Sequence, residues 1–310
     1  MCWMRTRLLL MVLVMATAGG SAQADLSGVR HFTYWLANPS PALISASGFD
    51  MAVVDYSRDG SGAHAFSRDD VALMQRKPDG GRRVLLSYLS VGEAEDYRFY
   101  WKPEWSTKAP SWLEAENPDW EGNFKVRYWD PDWKRIIFGG PDAYLDRIIA
   151  AGFDGVYLDI IDAYWYFQEK GRETAAKEMT DFVMELAAYA RTKVPGFRIV
   201  PQNAEDLMVD PAYLATVDGL GKEDAFFGWD GDGVPNADDS TAWIMQHLKL
   251  ITDAGKPVFL IEYPSNPDRI REAYEKGRGA GLIPYATVRA LDRMVVNPDL
   301  DPAVPGLLGR

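Results

Sequence analysis

The sequence predicts an α/β protein, a single-domain (β/α)8 TIM barrel spanning residues 25–310 behind a cleaved signal peptide over 1–24. Three observations predict it. Short apolar runs alternate with amphipathic stretches from end to end, as in a parallel sheet covered by helices on both faces. Eight such runs fit this length, as one barrel requires. A polar residue also recurs seven positions after a turn glycine in five of the units.

The elements follow in order. Arg5 and Arg7 precede the apolar run Leu8–Ala16, which is too short to span a bilayer. Ala22-Gln23-Ala24 then supplies a small-x-small cleavage pattern. This reads as a secretory signal, so the mature chain is expected to be secreted or periplasmic, with no membrane span. Cys2 lies inside the leader, and no other cysteine exists, so disulfides and thiolate chemistry are excluded. Strands are expected near 31–37, 51–57, 83–90, 155–161, 198–204, 219–227, 258–264 and 281–288. Helices are expected near 67–76, 141–151, 172–193, 238–254 and 266–279. The third has Met179, Phe182, Val183, Leu186 and Tyr189 on one stripe. Residues 91–135 form the longest insertion, rich in Trp and Tyr. A loop this long is usually functional. Segment 228–240 is a second, acidic loop. A doubly wound open sheet is the fallback fold, but no Gly-rich phosphate loop follows the first strand.

Counting seven residues from a turn glycine leads from Gly48 to Asp55, Gly81 to Tyr88, Gly152 to Asp159, Gly196 to Asn203 and Gly255 to Glu262. In a barrel these positions share the C-terminal rim, where active sites are built. The bland alternative is that polar residues merely end strands. The formal net charge of −12 becomes more negative once the leader leaves, because the leader carries two arginines and no acid. That disfavours a nucleic-acid partner, which needs a basic face.

The rim chemistry points to carboxylates. Retaining hydrolysis of a glycoside needs a nucleophilic carboxylate and a proton-donating carboxylic acid roughly 5 Å apart. Asp55, Glu93, Asp159, Asp162, Glu223, Asp224 and Glu262 are the candidates. Asp159 is best placed, at the end of Val156-Tyr157-Leu158, and Glu223 lies two strands away. Asp55, Asp159 and Glu262 are an oxygen set for a divalent ion. The three histidines, His31, His64 and His247, all fall off the rim, which argues against a zinc site. No metal or cofactor is expected. No G-x-S-x-G motif supports an α/β-hydrolase triad. The acidic loop lacks the terminal Glu of an EF-hand.

Several stretches carry a family resemblance. They include Val54-Asp55-Tyr56-Ser57, Tyr88-Leu89-Ser90-Val91-Gly92-Glu93-Ala94-Glu95, Gly155-Val156-Tyr157-Leu158-Asp159, Gln202-Asn203-Ala204, Lys222-Glu223 and Ile261-Glu262-Tyr263. Together they resemble glycoside hydrolase family 114, endo-α-1,4-polygalactosaminidases and related barrel proteins, over nearly all of 30–290. The resemblance implies that Asp159 is the nucleophile and Glu223 the acid/base. Many members read Glu-Glu-Cys after the sixth strand, whereas this chain reads Lys222-Glu223-Asp224-Ala225. Strand alternation is expected to send Lys222 outward, away from the acid. Asp55, Tyr88, Asn203, Glu262 and Tyr285 are then expected to hold the sugar. Glu93 is either a sugar ligand or a loop hydrogen-bond partner. Trp35, Trp101 and Trp129 are either stacking platforms or core.

The expected activity is a retaining endo-glycosidase on α-1,4-linked galactosamine or N-acetylgalactosamine polysaccharide. The competing reading is a non-catalytic carbohydrate-binding or exopolysaccharide-assembly barrel, since fold does not fix function. A metal-dependent deacetylase is disfavoured by the absence of rim histidines. The rim holds many acids, with Lys222, Arg98 and Arg289 the cations near enough to balance them. That predicts a cationic glycan whose amine faces Asp55 or Glu262.

Overall fold

The computed structural model describes residues 25–304. The expected leader over 1–24, with Cys2, lies outside the described residues. All eight expected strands form: β1 Phe32–Trp35, β2 Met51–Val54, β3 Val84–Ser90, β4 Gly155–Asp159, β5 Arg198–Pro201, β6 Leu220–Glu223, β7 Val258–Glu262 and β8 Ile283–Ala286. They pair in parallel, in chain order, as a five-stranded sheet from β1 to β5 and a three-stranded sheet from β6 to β8. A bridge between Gln202 and Gly221 joins β5 to β6, and β8 packs beside β1, so the barrel closes.

The strands are buried along nearly their whole length, which explains their near-continuous apolar runs. Aromatic side chains fill the interior. Phe32 meets Phe259 at 5.3 Å and Tyr285 at 5.5 Å between ring centroids, and Phe49 meets Tyr285 at 5.8 Å. This layer plugs the barrel beneath the rim. Tyr34 and Tyr157 form a layer nearer the rim, at 5.2 Å.

The five expected helices form as Arg68–Met74, Tyr144–Ala151, Ala175–Lys193, Asp238–Asp253 and Pro267–Gly279. Their ends follow the local chemistry. Ser67 and Asp70 make a reciprocal capping box. Gly152, at φ 96°, ends its helix in the left-handed region. Four helices of six or seven residues were not expected: Pro41–Ala46, Pro131–Ile137, Tyr164–Glu169 and Pro211–Thr216. One or two turns give too few residues for a period to show. Three of them did carry a start signal, a proline at the first helical position behind Ser40, Asp130 or Asp210.

The insertion is more ordered than a loop. Glu93–Glu95, Leu113–Glu116 and Asn123–Val126 form a three-stranded sheet with antiparallel pairing. Its tryptophans build a small core in which Trp101, Trp105, Trp112 and Trp133 make successive ring contacts at 5.3, 5.0 and 5.0 Å. Trp101 also stacks on Phe124 at 4.9 Å. Trp129 packs against Phe167 at 4.7 Å, under the Arg172 guanidinium. Trp101 and Trp129 are thus both engaged in ring packing, and both are partly buried. No helix among the described residues is long and apolar enough to cross a membrane.

Candidate active site

A cleft of about 540 Å³ opens at the C-terminal ends of the strands and draws lining residues from the end of each strand or the segment after it. The chain bends sharply there. Ile160, Asn203, Ala204 and Asp224 have positive φ, from 52° to 58°, immediately after β4, β5 and β6. Left-handed backbone is costly for residues with a Cβ, most of all for β-branched Ile160. Close packing holds it. A Cβ on Gly92 would lie 2.1 Å from the Ile160 carbonyl oxygen, so only glycine fits beneath that turn.

Asp159 closes β4 and faces the cleft, and its Oδ2 accepts a hydrogen bond from Tyr88 Oη at 2.7 Å. Glu223 closes β6 on the same cleft. Its Oε2 accepts from Gln202 Nε2 at 2.7 Å and, more weakly, from Asn203 Nδ2 at 3.5 Å. Its Oε1 accepts from Tyr263 Oη. Tyr34 Oη donates to Gln202 Oε1 at 3.3 Å, which turns the amide nitrogen of Gln202 toward Glu223. The Glu223 backbone N–H donates to Asn203 Oδ1 at 3.1 Å. Glu223 is thus held at both oxygens and at its backbone.

Burial and the neighbouring Glu223 charge push the Asp159 carboxyl up to about 8. Burial also raises Glu223, against its hydrogen bonds from Tyr263 and Asn203. Two interacting carboxyls of this kind titrate as a pair, and with Asp159 raised to about 8 the pair holds a proton near neutral pH.

The other expected ligands divide. Asp55 lines the cleft but is committed to Arg98, whose Nη1 stands 2.6 Å away, and to the Ser57 N–H. Glu93 lines the cleft and accepts from Lys125 Nζ at 2.6 Å and Asn117 Nδ2 at 2.8 Å. Three expectations are corrected. Trp35 is buried, donates from Nε1 to the Ala37 carbonyl, and is not part of the lining. Tyr285 belongs to the aromatic plug, where its Oη accepts from Thr33 and donates to the Val295 carbonyl. Glu262 is only 1% exposed, and its Oε1 accepts from the Phe226 N–H at 2.8 Å. It anchors the turn after β6 and does not reach the cleft.

The reason for Glu262 is phase. Ile261 is the register partner of Glu223, so Glu262 points to the other face of β7 and the next residue, Tyr263, returns to the cleft. The seven-residue count is one position out on this strand. The same phase picks out Gln202. Leu158 pairs with Pro201, which sets Asp159 level with Gln202. Gln202 and Tyr263 were both missed, and strand alternation read back from Asp159 and Glu223 was the signal for them.

Lys222 leaves the cleft as expected, but not for solvent. It is buried, with Nζ 3.1 Å from Glu205 and 3.4 Å from Asn203 Oδ1. The expected surplus of rim acid is corrected too. Arg98 pairs with Asp55 and Glu95, Lys125 with Glu93, Lys222 with Glu205, and Arg289 with Asp224 and Asp232. Lys125 was not counted from the sequence. Asp55 and Glu262 are therefore not spare partners for an amine. Among the described residues, Asp162 lines the cleft with no ion pair, bonded only to its own backbone N–H.

The chain resembles other proteins along most of its length. An uncharacterised protein of Thermotoga maritima is 38% identical over 303 residues, covering 93% of this chain and 89% of its own length. One of Deinococcus radiodurans is 41% identical over 281 residues, covering 89% and 86%. Among solved structures, the glycoside hydrolase domain of PelA from Pseudomonas aeruginosa superposes with a TM-score of 0.67 at 21% identity, covering 87% of this chain and 99% of that domain. Ega3 of Aspergillus fumigatus, solved in complex with galactosamine, gives 0.63 at 19% identity, covering 90% and 100%. These two likenesses show the fold. The model of one family matches residues 16–301, and with it the chain belongs to the glycoside hydrolase family GH114.

Proposed function

We propose that this glycoside hydrolase cuts galactosamine-containing polysaccharide within the chain and retains the anomeric configuration, with Asp159 as nucleophile and Glu223 as acid/base. The observation that carries the reading is the coupled carboxyl pair in one cleft, each member held by its own donors. In the first step Glu223 protonates the glycosidic oxygen while Asp159 attacks the anomeric carbon. In the second, Glu223 takes a proton from water, which releases the sugar from Asp159. A lining drawn from all eight strand ends suits a polymer passing across the rim. The substrate class rests on the family and on the galactosamine complex of Ega3. An exported setting, secreted or periplasmic, rests on the leader read from the sequence.

One observation favours an exchange of roles. Several donors face Glu223, whereas Tyr88 and the Ile160 N–H face Asp159. Hydrogen bonds to a carboxylate favour its charged form, so the resting proton sits on Asp159. In the main reading a bound sugar moves it: positive charge growing at the anomeric carbon stabilises the Asp159 anion, and the glycosidic oxygen draws the proton to Glu223.

The test uses partly deacetylated galactosamine polymer, with product lengths read by mass spectrometry and the first-formed anomer by NMR. Internal fragments with the α-anomer formed first support the reading, and inversion or monomer release alone overturns it. Azide assigns the roles. An Asp159→Ala variant rescued by azide should yield the β-azide, and Glu223→Ala the α-azide. The reverse outcome exchanges the two residues. Binding without cleavage would favour the carbohydrate-binding alternative.

A further inference from the structure

We propose that the hairpin over 113–126 forms a sugar subsite of its own, in which Trp120 is the platform for a hexosamine unit of the bound chain. The proposal rests on the polysaccharide reading above. The insertion carries several tryptophans, and Trp101, Trp105, Trp112, Trp129 and Trp133 all pack against other rings. Trp120 differs. It sits at the turn of the hairpin, is 55% exposed, and lines the cleft.

The turn that presents it is closed by its own hydrogen bonds. Trp120 N–H donates to the Asn117 carbonyl, and Asn123 N–H donates to the Trp120 carbonyl, at 3.2 and 3.1 Å. Gly122 at φ 80° donates its N–H to Glu116 Oε1 at 2.7 Å. A Trp side chain has only two side-chain torsions, so it loses little conformational entropy when a ligand covers it.

A second, polar observation comes from the same cleft. Asn123 lines the same cleft, and its Oδ1 is buried without a hydrogen-bond partner. A buried acceptor left unmade is costly, and a ligand donor satisfies it. An exposed aromatic face and an unpaired acceptor in the lining of one cleft match a pyranose, which offers a C–H face and hydroxyl or amino donors at its edge. A galacto-configured unit shows such a face at C3, C4 and C5. The carboxylate pair projects from β4 and β6 and this subsite belongs to the insertion after β3, and the proposal gives it a unit other than the one being cleaved.

The test is calorimetric binding of galactosamine oligomers to a Glu223→Gln background, which blocks cleavage. Adding Trp120→Ala should weaken hexamer binding roughly tenfold, the scale of one aromatic contact. Dimer binding should change less than twofold, and Trp120→Phe should restore most of the hexamer affinity. Asn123→Leu gives a second, ring-independent reading and should also weaken the hexamer selectively. Equal losses on dimer and hexamer, or no loss on either, overturn the subsite. If wild-type protein binds hexamer without cutting it, the catalytic reading fails while the subsite is still judged by these variants. If hexamer does not bind at all, both fail.

Discussion

Lys222 and Glu205 form a buried ion pair, 3.1 Å apart, behind the Glu223 carboxylate. The same ammonium reaches Asn203 Oδ1, which in turn receives the Glu223 N–H. A basic residue beside a proton donor would depress the donor's acidity range if it faced the same space. Here its ammonium faces Glu205 and Asn203 Oδ1 instead. Removing one member of a buried pair leaves an uncompensated charge and costs about 3–5 kcal/mol. Lys222→Met should therefore lower stability by that order in chemical denaturation and reduce kcat by loosening Asn203. Lys222→Met with Glu205→Gln should recover much of the stability. An additive loss in the double variant would mean the pair is not coupled.

The carboxyl pair sets the pH profile. Asp159 is raised to about 8, so the pair keeps its proton through neutrality and loses it as pH rises through that value. Activity should fall on the alkaline side near pH 8. The Tyr88 hydroxyl lowers Asp159 by stabilising its anion. Tyr88→Phe should then move the alkaline limb to higher pH. It should also reduce kcat by roughly tenfold to a hundredfold, as for one hydrogen bond to a charged group. A limb that stays in place would detach Tyr88 from the titrating pair.

The barrel and the site were legible to different degrees, for physical reasons. Strands such as Met51–Val54 and Val258–Glu262 are covered on both faces, and that demand writes itself into continuous apolar runs. Asp159 and Glu223 stood out as acids closing such runs. Trp35, Tyr285 and Glu262 misled because a barrel interior and a strand terminus use the same residue types for packing as for binding. Only register separates them, and a single strand does not reveal its register to another. The ion pairs Arg98–Asp55 and Lys125–Glu93 join residues 43 and 32 positions apart, so charge balance at the rim was invisible to composition.

Glu262 offers a stability test free of catalysis. Burial pushes its carboxyl from 4.5 up to about 8, against hydrogen bonds from the backbone of the turn. A group raised in the folded state adds stability that is complete below its unfolded value. That stability is lost as pH climbs through the folded value. Its contribution therefore fades between about pH 4.5 and 8. Glu262→Gln keeps an acceptor for the Phe226 N–H and cannot ionise. The melting temperature of the variant relative to wild type should rise steadily from pH 5 to pH 8.5. Asp159 titrates in both proteins and cancels. A difference that does not change with pH would show that Glu262 is unshifted.

The last prediction concerns the charge of the sugar. Most rim acids are already matched by Arg98, Lys125, Lys222 or Arg289, so an amine gains little from them. Asp162 is different. It lines the cleft two residues beyond the Asp159–Ile160 bend, makes no ion pair, and is raised by burial, with Lys125 and Lys222 opposing that rise. An ammonium brought beside it would favour its anion and relieve the cost of burying it. Asp162, rather than Asp55 or Glu262, is therefore the expected partner of a galactosamine amine. Asp162→Asn preserves shape and removes the charge. It should lower kcat/KM on deacetylated oligomers by roughly tenfold or more, the scale of a hydrogen bond to a charged group. On fully acetylated oligomers the change should stay within about twofold. Raising salt should narrow the wild-type preference, since part of the attraction acts through solvent. An equal fall on both substrates would make Asp162 a structural residue, and the acidic surface would then serve solubility alone.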